Sequence, residues 1–442
     1  MEYDLATIAS PRSDETSLNA QIRGAQAPKG VVKISGAKNS ATRLLAAALL
    51  ADETVTLTNF PTELVDARHK MRFFRDKINV GVDVDRQNDT ITVHPHSIRT
   101  AELTGQDDFP IRTTYLLTAG QIRKQGHARI PYPGGCKIGS RGYDLHIMVW
   151  RNLGCNVVET PNYIEIKGDG FRSGNINFPI STVGGTENAL ICSSVADGNT
   201  EIVNAYITPE IEDLIEMLRR MGANIEVFGN SLIRVYGNTK LSGTRMAVQS
   251  DRIEALTWIV YGIMSGGEIR IDGVPFKDME VPLIHIEKCG VDLYRNSCSA
   301  WIHPDCLTGE TVQPFELACG THPGVISDMQ PFFVLLGLMA QGTSRVFDYR
   351  YPERFGVVNE LAKLCSPDSI AGEMGKITTR GKTTFRAGNV RSTDLRGSMA
   401  LVLSALCADG ISIVEDVHMA LRGYNDLQGK LAGLGLEMQI LS

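Results

Sequence analysis

Apolar and polar positions change period along this chain in a recurring order. Short segments alternate every second residue and read as half-buried strands, as in Thr54-Val55-Thr56-Leu57 and Glu268-Ile269-Arg270-Ile271. Longer stretches with apolar residues three and four apart read as helices. The junctions repeat as well. A phrase of Leu-Gly-Ala-x-Val/Ile character appears as Val80-Gly81-Val82-Asp83-Val84, Leu153-Gly154-Cys155-Asn156-Val157, Met221-Gly222-Ala223-Asn224-Ile225, Cys289-Gly290-Val291-Asp292-Leu293 and Leu434-Gly435-Leu436-Glu437-Met438. A degraded copy lies around Cys365. A second phrase, a helix end followed by Gly or Asp-Glu and then an alternating strand, starts at Ala51, Ala196, Ser265, Gln341 and Ala408. Glycine just past a periodic helix is the expected C-cap.

The spacing is about 70 residues, too long for a solenoid repeat and right for a small α/β module. Each module reads as strand, helix, strand, helix, strand, strand (βαβαββ). Six modules divide into two sets of three, so the expected fold is α/β (α+β) with two three-module domains. The break falls near Gln249-Ser250-Asp251, giving an N-terminal domain over 39–249 and a C-terminal one over 250–442. Residues 20–38 contain a strand and are expected to form a hinge region joining the C-terminal domain. Residues 1–19 mix Asp, Glu, Ser and Pro without an apolar region, and read as a disordered tail, not a signal peptide.

Composition narrows the function. The chain has 442 residues, 43% hydrophobic and 21% charged, a globular balance. Lys plus Arg number 44 against 50 Asp plus Glu, a net charge of −6, which argues against a general nucleic-acid partner. No uninterrupted apolar run reaches the ~18 residues of a membrane span. The nine cysteines are scattered without a CxxC pair, and no histidine spacing suits a metal. A cytoplasmic protein without metal or cofactor is the expectation.

Helix starts carry the first functional signal. In the C-terminal half they are Ser250-Asp251-Arg252, Ser327-Asp328-Met329-Gln330 and Ser392-Thr393-Asp394-Leu395-Arg396; in the N-terminal half, Lys38-Asn39-Ser40, Ile111-Arg112-Thr113-Thr114 and Val183-Gly184-Gly185-Thr186. Ser, Thr and Asp are ordinary N-caps. Lys or Arg lies at or near four of the six starts, where the helix dipole disfavours it. That placement makes sense around a bound anion.

The sharpest motif is Gly134-Gly135-Cys136-Lys137-Ile138-Gly139-Ser140-Arg141. Its glycines let the backbone approach a ligand, and the flanking cations favour thiolate at Cys136. Cys155, Cys192, Cys319 and Cys407 read instead as inert buried thiols.

Together with Ile34-Ser35-Gly36-Ala37-Lys38-Asn39, Asp144-Leu145-His146, Ser327-Asp328-Met329-Gln330, Thr393-Asp394-Leu395-Arg396 and Arg422-Gly423-Tyr424, this loop resembles the enolpyruvyl transferase family from about Gly30 onward. The resemblance implies an inverse α/β barrel fold of two domains, each of three βαβαββ units. It implies transfer of the enolpyruvyl group of phosphoenolpyruvate to a hydroxyl of a uridine nucleotide, with release of phosphate. Lys38 and Arg141 would hold the donor phosphate, Arg396 and Arg422 its carboxylate, and Arg112 and Arg354 would complete the basic lining. Cys136 would add to the enolpyruvyl carbon or protonate its methylene. Asp328 would take the acceptor's proton, and Asp394 would help steer protonation. Asn39, Asp144, Thr182, Val183 and Gly184 would border the acceptor.

The sequence departs from the family pattern on the acceptor side. Gly142-Tyr143 stands where Pro-Val is usual, Ser40-Ala41-Thr42-Arg43 replaces Ala-Ala-Leu-Pro, Gly320 to Ile326 replaces a Phe-Pro segment, and Glu353 replaces Asn. Two acceptors therefore compete: UDP-N-acetylglucosamine at its 3-hydroxyl, and UMP at its 3′-hydroxyl, as in nucleoside-antibiotic pathways. A catalytically silent ligand-binding paralogue is the alternative of another class.

Overall fold

A computed structural model describes residues 18–101, 112–131, 142–238, 240–309 and 311–441. Among them lie thirteen α-helices and six small sheets, five of four strands and one of three. The protein is thus mixed α/β, and none of the six sheets closes on itself.

The glycine phrases have a structural cause. Gly154, Gly222, Gly290 and Gly435 take φ of 88°, 105°, 82° and 75°, left-handed values that end a helix and that side chains disfavour. In the first copy Asn79 does this at φ 57°. The strand that follows each phrase is an edge strand of its sheet: Gly81–Asp85, Asn156–Glu159, Asn224–Phe228, Tyr294–Arg295, Ile370–Glu373 and Glu437–Leu441. The second phrase leads into Val55–Thr58, Ala196–Ala205, Glu268–Asp272, Thr343–Asp348 and Ile411–Glu415. Each of these strands pairs in parallel with one neighbour and antiparallel with another.

The chain divides into two compact units. One holds the described residues before Gly36 and those from Ser250 onward; the other holds those from Gly36 to Gln249. In the first, the strand Asn19–Arg23 runs between Ile411–Glu415 and Glu437–Leu441, so Asn19, assigned from composition to the tail, is already paired with Leu441. The strand Lys29–Lys33 joins the same unit beside Glu268–Asp272.

The core of this unit is built on the helices Arg252–Ser265, Gln330–Met339 and Leu395–Cys407, which are buried on every face for nearly their whole length. A helix apolar all round belongs inside, and Trp258, Phe332, Phe333 and Met399 are fully enclosed. The other unit has Lys38–Ala47 and Val183–Ser193 in the same role, with Leu44, Leu45, Leu190 and Ile191 at 0% exposure. Because these helices are the core, their first turns are fixed by packing.

Candidate active site

Within the unit from Ser250 onward, the three central helices open on aspartates. Asp251 caps Arg252–Ser265, accepting from the N–H groups of Ile253 at 2.8 Å and Glu254 at 3.1 Å. Burial raises its pKa above the usual carboxylate value, although the Arg396 charge opposes that shift. Asp394 caps Leu395–Cys407, accepting from Arg396 N–H at 3.1 Å and Gly397 N–H at 3.3 Å. Asp328 lies in the turn Ser327–Met329, just ahead of Gln330–Met339.

Two buried arginines tie these carboxylates together. Arg354 donates from Nη2 to Asp394 at 2.8 Å, and from Nη1 to Asp328 at 3.0 Å and the Ser327 carbonyl at 2.8 Å. Arg396 places Nε 3.7 Å from Asp328 and Nη2 4.0 Å from Asp251, and its Nη1 donates to the Gly423 carbonyl at 3.3 Å. Its guanidinium carbon lies 5.2 Å from the centre of the Tyr424 ring, and the Tyr424 hydroxyl meets Thr257 at 2.9 Å. Burial alone would lower the pKa of both arginines; the facing carboxylates, and for Arg396 also Tyr424, outweigh it and hold both above the usual value. Arg422 is buried directly before Gly423, at the end of the short helix His418–Leu421.

Among the three aspartates, Asp328 is the open one. Its side chain is 31% exposed, against 8% for Asp394 and 5% for Asp251. A partly exposed carboxylate fixed by one guanidinium and faced by another has the chemistry of a proton acceptor.

In the unit from Gly36 to Gln249, Lys38 is the first residue of its helix and pairs with Asp66 at 2.9 Å. Asn39 follows it, and its carbonyl accepts from Arg43. Thr182 caps Val183–Ser193, accepting from Gly185 N–H at 3.2 Å. Gly184 sits against two rings: a Cβ there would come within 3.0 Å of the Tyr115 hydroxyl and 3.2 Å of His146 Cε1. Asp144 begins the helix Asp144–Asn152 and is exposed. Arg112 opens the turn Arg112–Leu117. Its side chain, and Cys136 and Arg141 entirely, lie outside the described residues.

The structure thus brings Asp328, Arg354, Asp394 and Arg396 into one cluster. The cations at helix starts face carboxylates of the protein itself: Lys38 faces Asp66, and Arg396 faces Asp328 and Asp251. Sequence reasoning gave Asp251 no role and missed Asp66, Lys70 and Glu187. Glu187 had a signal, a charge just ahead of the apolar run Ala189-Leu190-Ile191-Cys192. Lys70 had none, sitting in a helix rich in charges.

Among the described residues no cluster of His, Cys, Asp and Glu could hold a metal ion. His94 ends a strand while His96 lies in the next turn, because Pro95 between them cannot donate to the ladder. Among the described residues no helix is long and apolar enough to cross a membrane.

The chain is similar to known proteins in sequence and in fold. The EPSP synthase family (3-phosphoshikimate 1-carboxyvinyltransferase) matches residues 22–431. The UDP-N-acetylglucosamine 1-carboxyvinyltransferase of Methylocella silvestris is 34% identical over 433 residues, covering 96% of this chain and 99% of its own. That of Koribacter versatilis is 32% identical over 420 residues, 95% of each chain. Among solved structures, the enolpyruvyl transferase NikO of Streptomyces tendae superimposes with a TM-score of 0.85 over 96% of this chain and 99% of its own. At 24% identity it speaks to the fold alone. An EPSP synthase of Acinetobacter baumannii does the same at a TM-score of 0.70 and 17% identity, over 97% of this chain and 100% of its own. The protein is an enzyme, a transferase of the enolpyruvyl class. It belongs to the EPSP synthase family.

Proposed function

We propose that this enzyme moves the enolpyruvyl group of phosphoenolpyruvate to the 3-hydroxyl of UDP-N-acetylglucosamine and releases phosphate. The observation that carries the chemistry is Arg354 spanning Asp328 and Asp394, which sets an accessible carboxylate between two guanidinium groups. Asp328 takes the proton of the acceptor hydroxyl as it attacks. The planar carboxylate of the donor suits the guanidinium forks of Arg396 and Arg422, with Arg354 and Arg112 completing the cationic lining. Lys38 and Arg141 hold the departing phosphate. Cys136 adds reversibly to the enolpyruvyl carbon or protonates its methylene, and Asp394 helps steer protonation at the other reacting carbon. Asn39, Asp144 and the start Thr182-Val183-Gly184 border the nucleotide. No cofactor enters this scheme.

The acceptor assignment is supported by relatives named for UDP-N-acetylglucosamine at 32% and 34% identity. A second reading, UMP enolpyruvylated at its 3′-hydroxyl, is favoured by one feature: Arg43 stands in the acceptor segment, buried against Glu187, where the family pattern has proline. We also read the six sheets as six copies of one βαβαββ unit, three to a domain in an inverse α/β barrel.

The test is phosphate release from phosphoenolpyruvate with each acceptor in turn. Release with the UDP-sugar supports the first reading, and release with UMP alone replaces it by the second. Silence with both returns the ligand-binding alternative. Asp328→Asn should lower kcat by about 10²-fold or more with the fold intact; a variant with full activity would remove Asp328 from its role.

A further inference from the structure

Arg43 lies between the polar start and the apolar end of the helix Lys38–Ala47, and it is buried. Its Nε pairs with the Glu187 carboxylate, while Nη1 donates to the carbonyl of Asn39. Glu187, only 1% exposed, accepts on its other oxygen from the Tyr115 hydroxyl. The Tyr115 ring lies flat on His146, with centroids 3.7 Å apart and planes at 23°. The backbone of Gly184 closes against the same two rings. One buried ion pair therefore joins the starts of Lys38–Ala47 and Val183–Ser193, the turn Arg112–Leu117 and the helix Asp144–Asn152.

We propose that the Arg43–Glu187 pair is a positioning and specificity-determining element for the nucleotide acceptor, an inference that rests on the enolpyruvyl transfer proposed above. Asn39, Gly184 and the Asp144 helix are the segments that border the acceptor, and all three are attached to this pair or to the rings it holds. Lys38, assigned above to the donor phosphate, begins the same helix, but its side chain is held by Asp66 and not by this pair. The charge of Arg43 is matched by Glu187, so the pair acts through geometry and not as an anion site. Buried pairs contribute little net stability, but removing one partner leaves a costly unmatched charge, and so they fix one arrangement. Displacing a binding group by ~1 Å costs up to ~10²-fold in rate, so the pair can decide between two nucleotides of different size.

The experiment uses the full chain carrying Arg43→Met and Glu187→Gln together, which removes both charges, with thermal unfolding as the fold control. Calorimetric binding and steady-state kinetics are measured with UDP-N-acetylglucosamine and with UMP. The inference expects Kd and KM for the preferred nucleotide to rise ~tenfold or more, at the lower end of the cost of such a displacement. KM for phosphoenolpyruvate should stay within about twofold, and the preference between the two nucleotides should shrink by the factor lost in acceptor binding. Arg43→Lys, which keeps the charge but not the fork, should recover only part of the loss. Equal rises in both KM values would make the pair merely structural, and unchanged acceptor binding and preference would overturn the inference alone. A wild-type protein that binds neither nucleotide would overturn the proposed acceptor class and this inference with it.

Discussion

Arg354 and Asp394 form a 2.8 Å ion pair in which the arginine side chain is 4% exposed and the aspartate 8%. The same aspartate oxygen caps the Leu395–Cys407 helix, so one guanidinium orients a carboxylate that in turn orients a core helix. Removing the arginine strands that carboxylate in a dry site. Arg354→Met should cost about 3–5 kcal/mol, read as a lower urea midpoint at unchanged slope. Adding Asp394→Asn should return part of the loss, since asparagine still caps and carries no charge. Full additivity of the two changes would argue that the pair is not coupled.

Lys70 gives the stability a signature in pH. It is fully buried, with Nζ donating to the carbonyls of Thr42 at 2.6 Å and Thr113 at 3.3 Å. Burial, aided by nearby Arg43 and opposed by Asp66, pushes its pKa from 10.5 down to about 7. The unfolded chain keeps this proton up to about 10.5 while the folded protein gives it up near 7, so stability should rise with pH across that interval. The slope approaches ~1.4 kcal/mol per pH unit for one proton. In Lys70→Met that rise should vanish from the urea midpoints at pH 7, 8 and 9, although the variant also loses two hydrogen bonds. Parallel curves for the two proteins would show that Lys70 is not the group.

The thiols should separate by reactivity. Burial pushes Cys155 up to about 11, Cys289, Cys365 and Cys407 to about 12, and Cys192 and Cys319 upward as well. Cys298 is exposed. In brief alkylation of the native protein at neutral pH, peptide mapping should find Cys136 labelled first and Cys298 more slowly, with the buried thiols untouched. The epoxide fosfomycin should add to Cys136 in the presence of nucleotide. An intact mass without adduct would count against the thiol's placement in an anion pocket.

Gly184→Ala tests how closely the acceptor-side helix start packs. The added methyl meets Tyr115 and His146, and should cost about 1–3 kcal/mol by overpacking. Gly433→Ala is the control: nothing lies within 4 Å of its Cβ position, and a helical alanine there should gain roughly 0.5–1 kcal/mol. Equal midpoints for the two variants would discount the close approach at Gly184.

Local features of this fold could be read from sequence, and long-range ones could not. The Gly222 phrase is legible because a helix end needs a left-handed residue, a demand met within a few positions. Asp394 and Thr182 are legible as caps for the same reason. Arg354 reads in the sequence as part of a basic lining, but that it bridges Asp394 and Asp328 depends on how three core helices pack. Arg43 and Glu187 stand 144 residues apart, and only topology makes them partners. Lys70 occupies a helix whose charges look solvated, yet its position turns inward under Thr42.

The strand Asn19–Arg23 has both its neighbours in the last stretch of the sequence, at Ile411–Glu415 and Glu437–Leu441. On a translating ribosome it is made long before either of these neighbours. At about 5–20 residues per second it waits on the order of 20–80 s for a place in its sheet. The described residues from Gly36 to Gln249 meanwhile leave the exit tunnel and can fold during the wait. The unit from Gly36 to Gln249 can therefore mature during synthesis, while the unit bearing Asp328 and Arg396 completes this sheet only after Glu437–Leu441 is made. A truncated message would yield the first half folded and the second with an unpaired β-strand at its head, a natural target for chaperones and proteases.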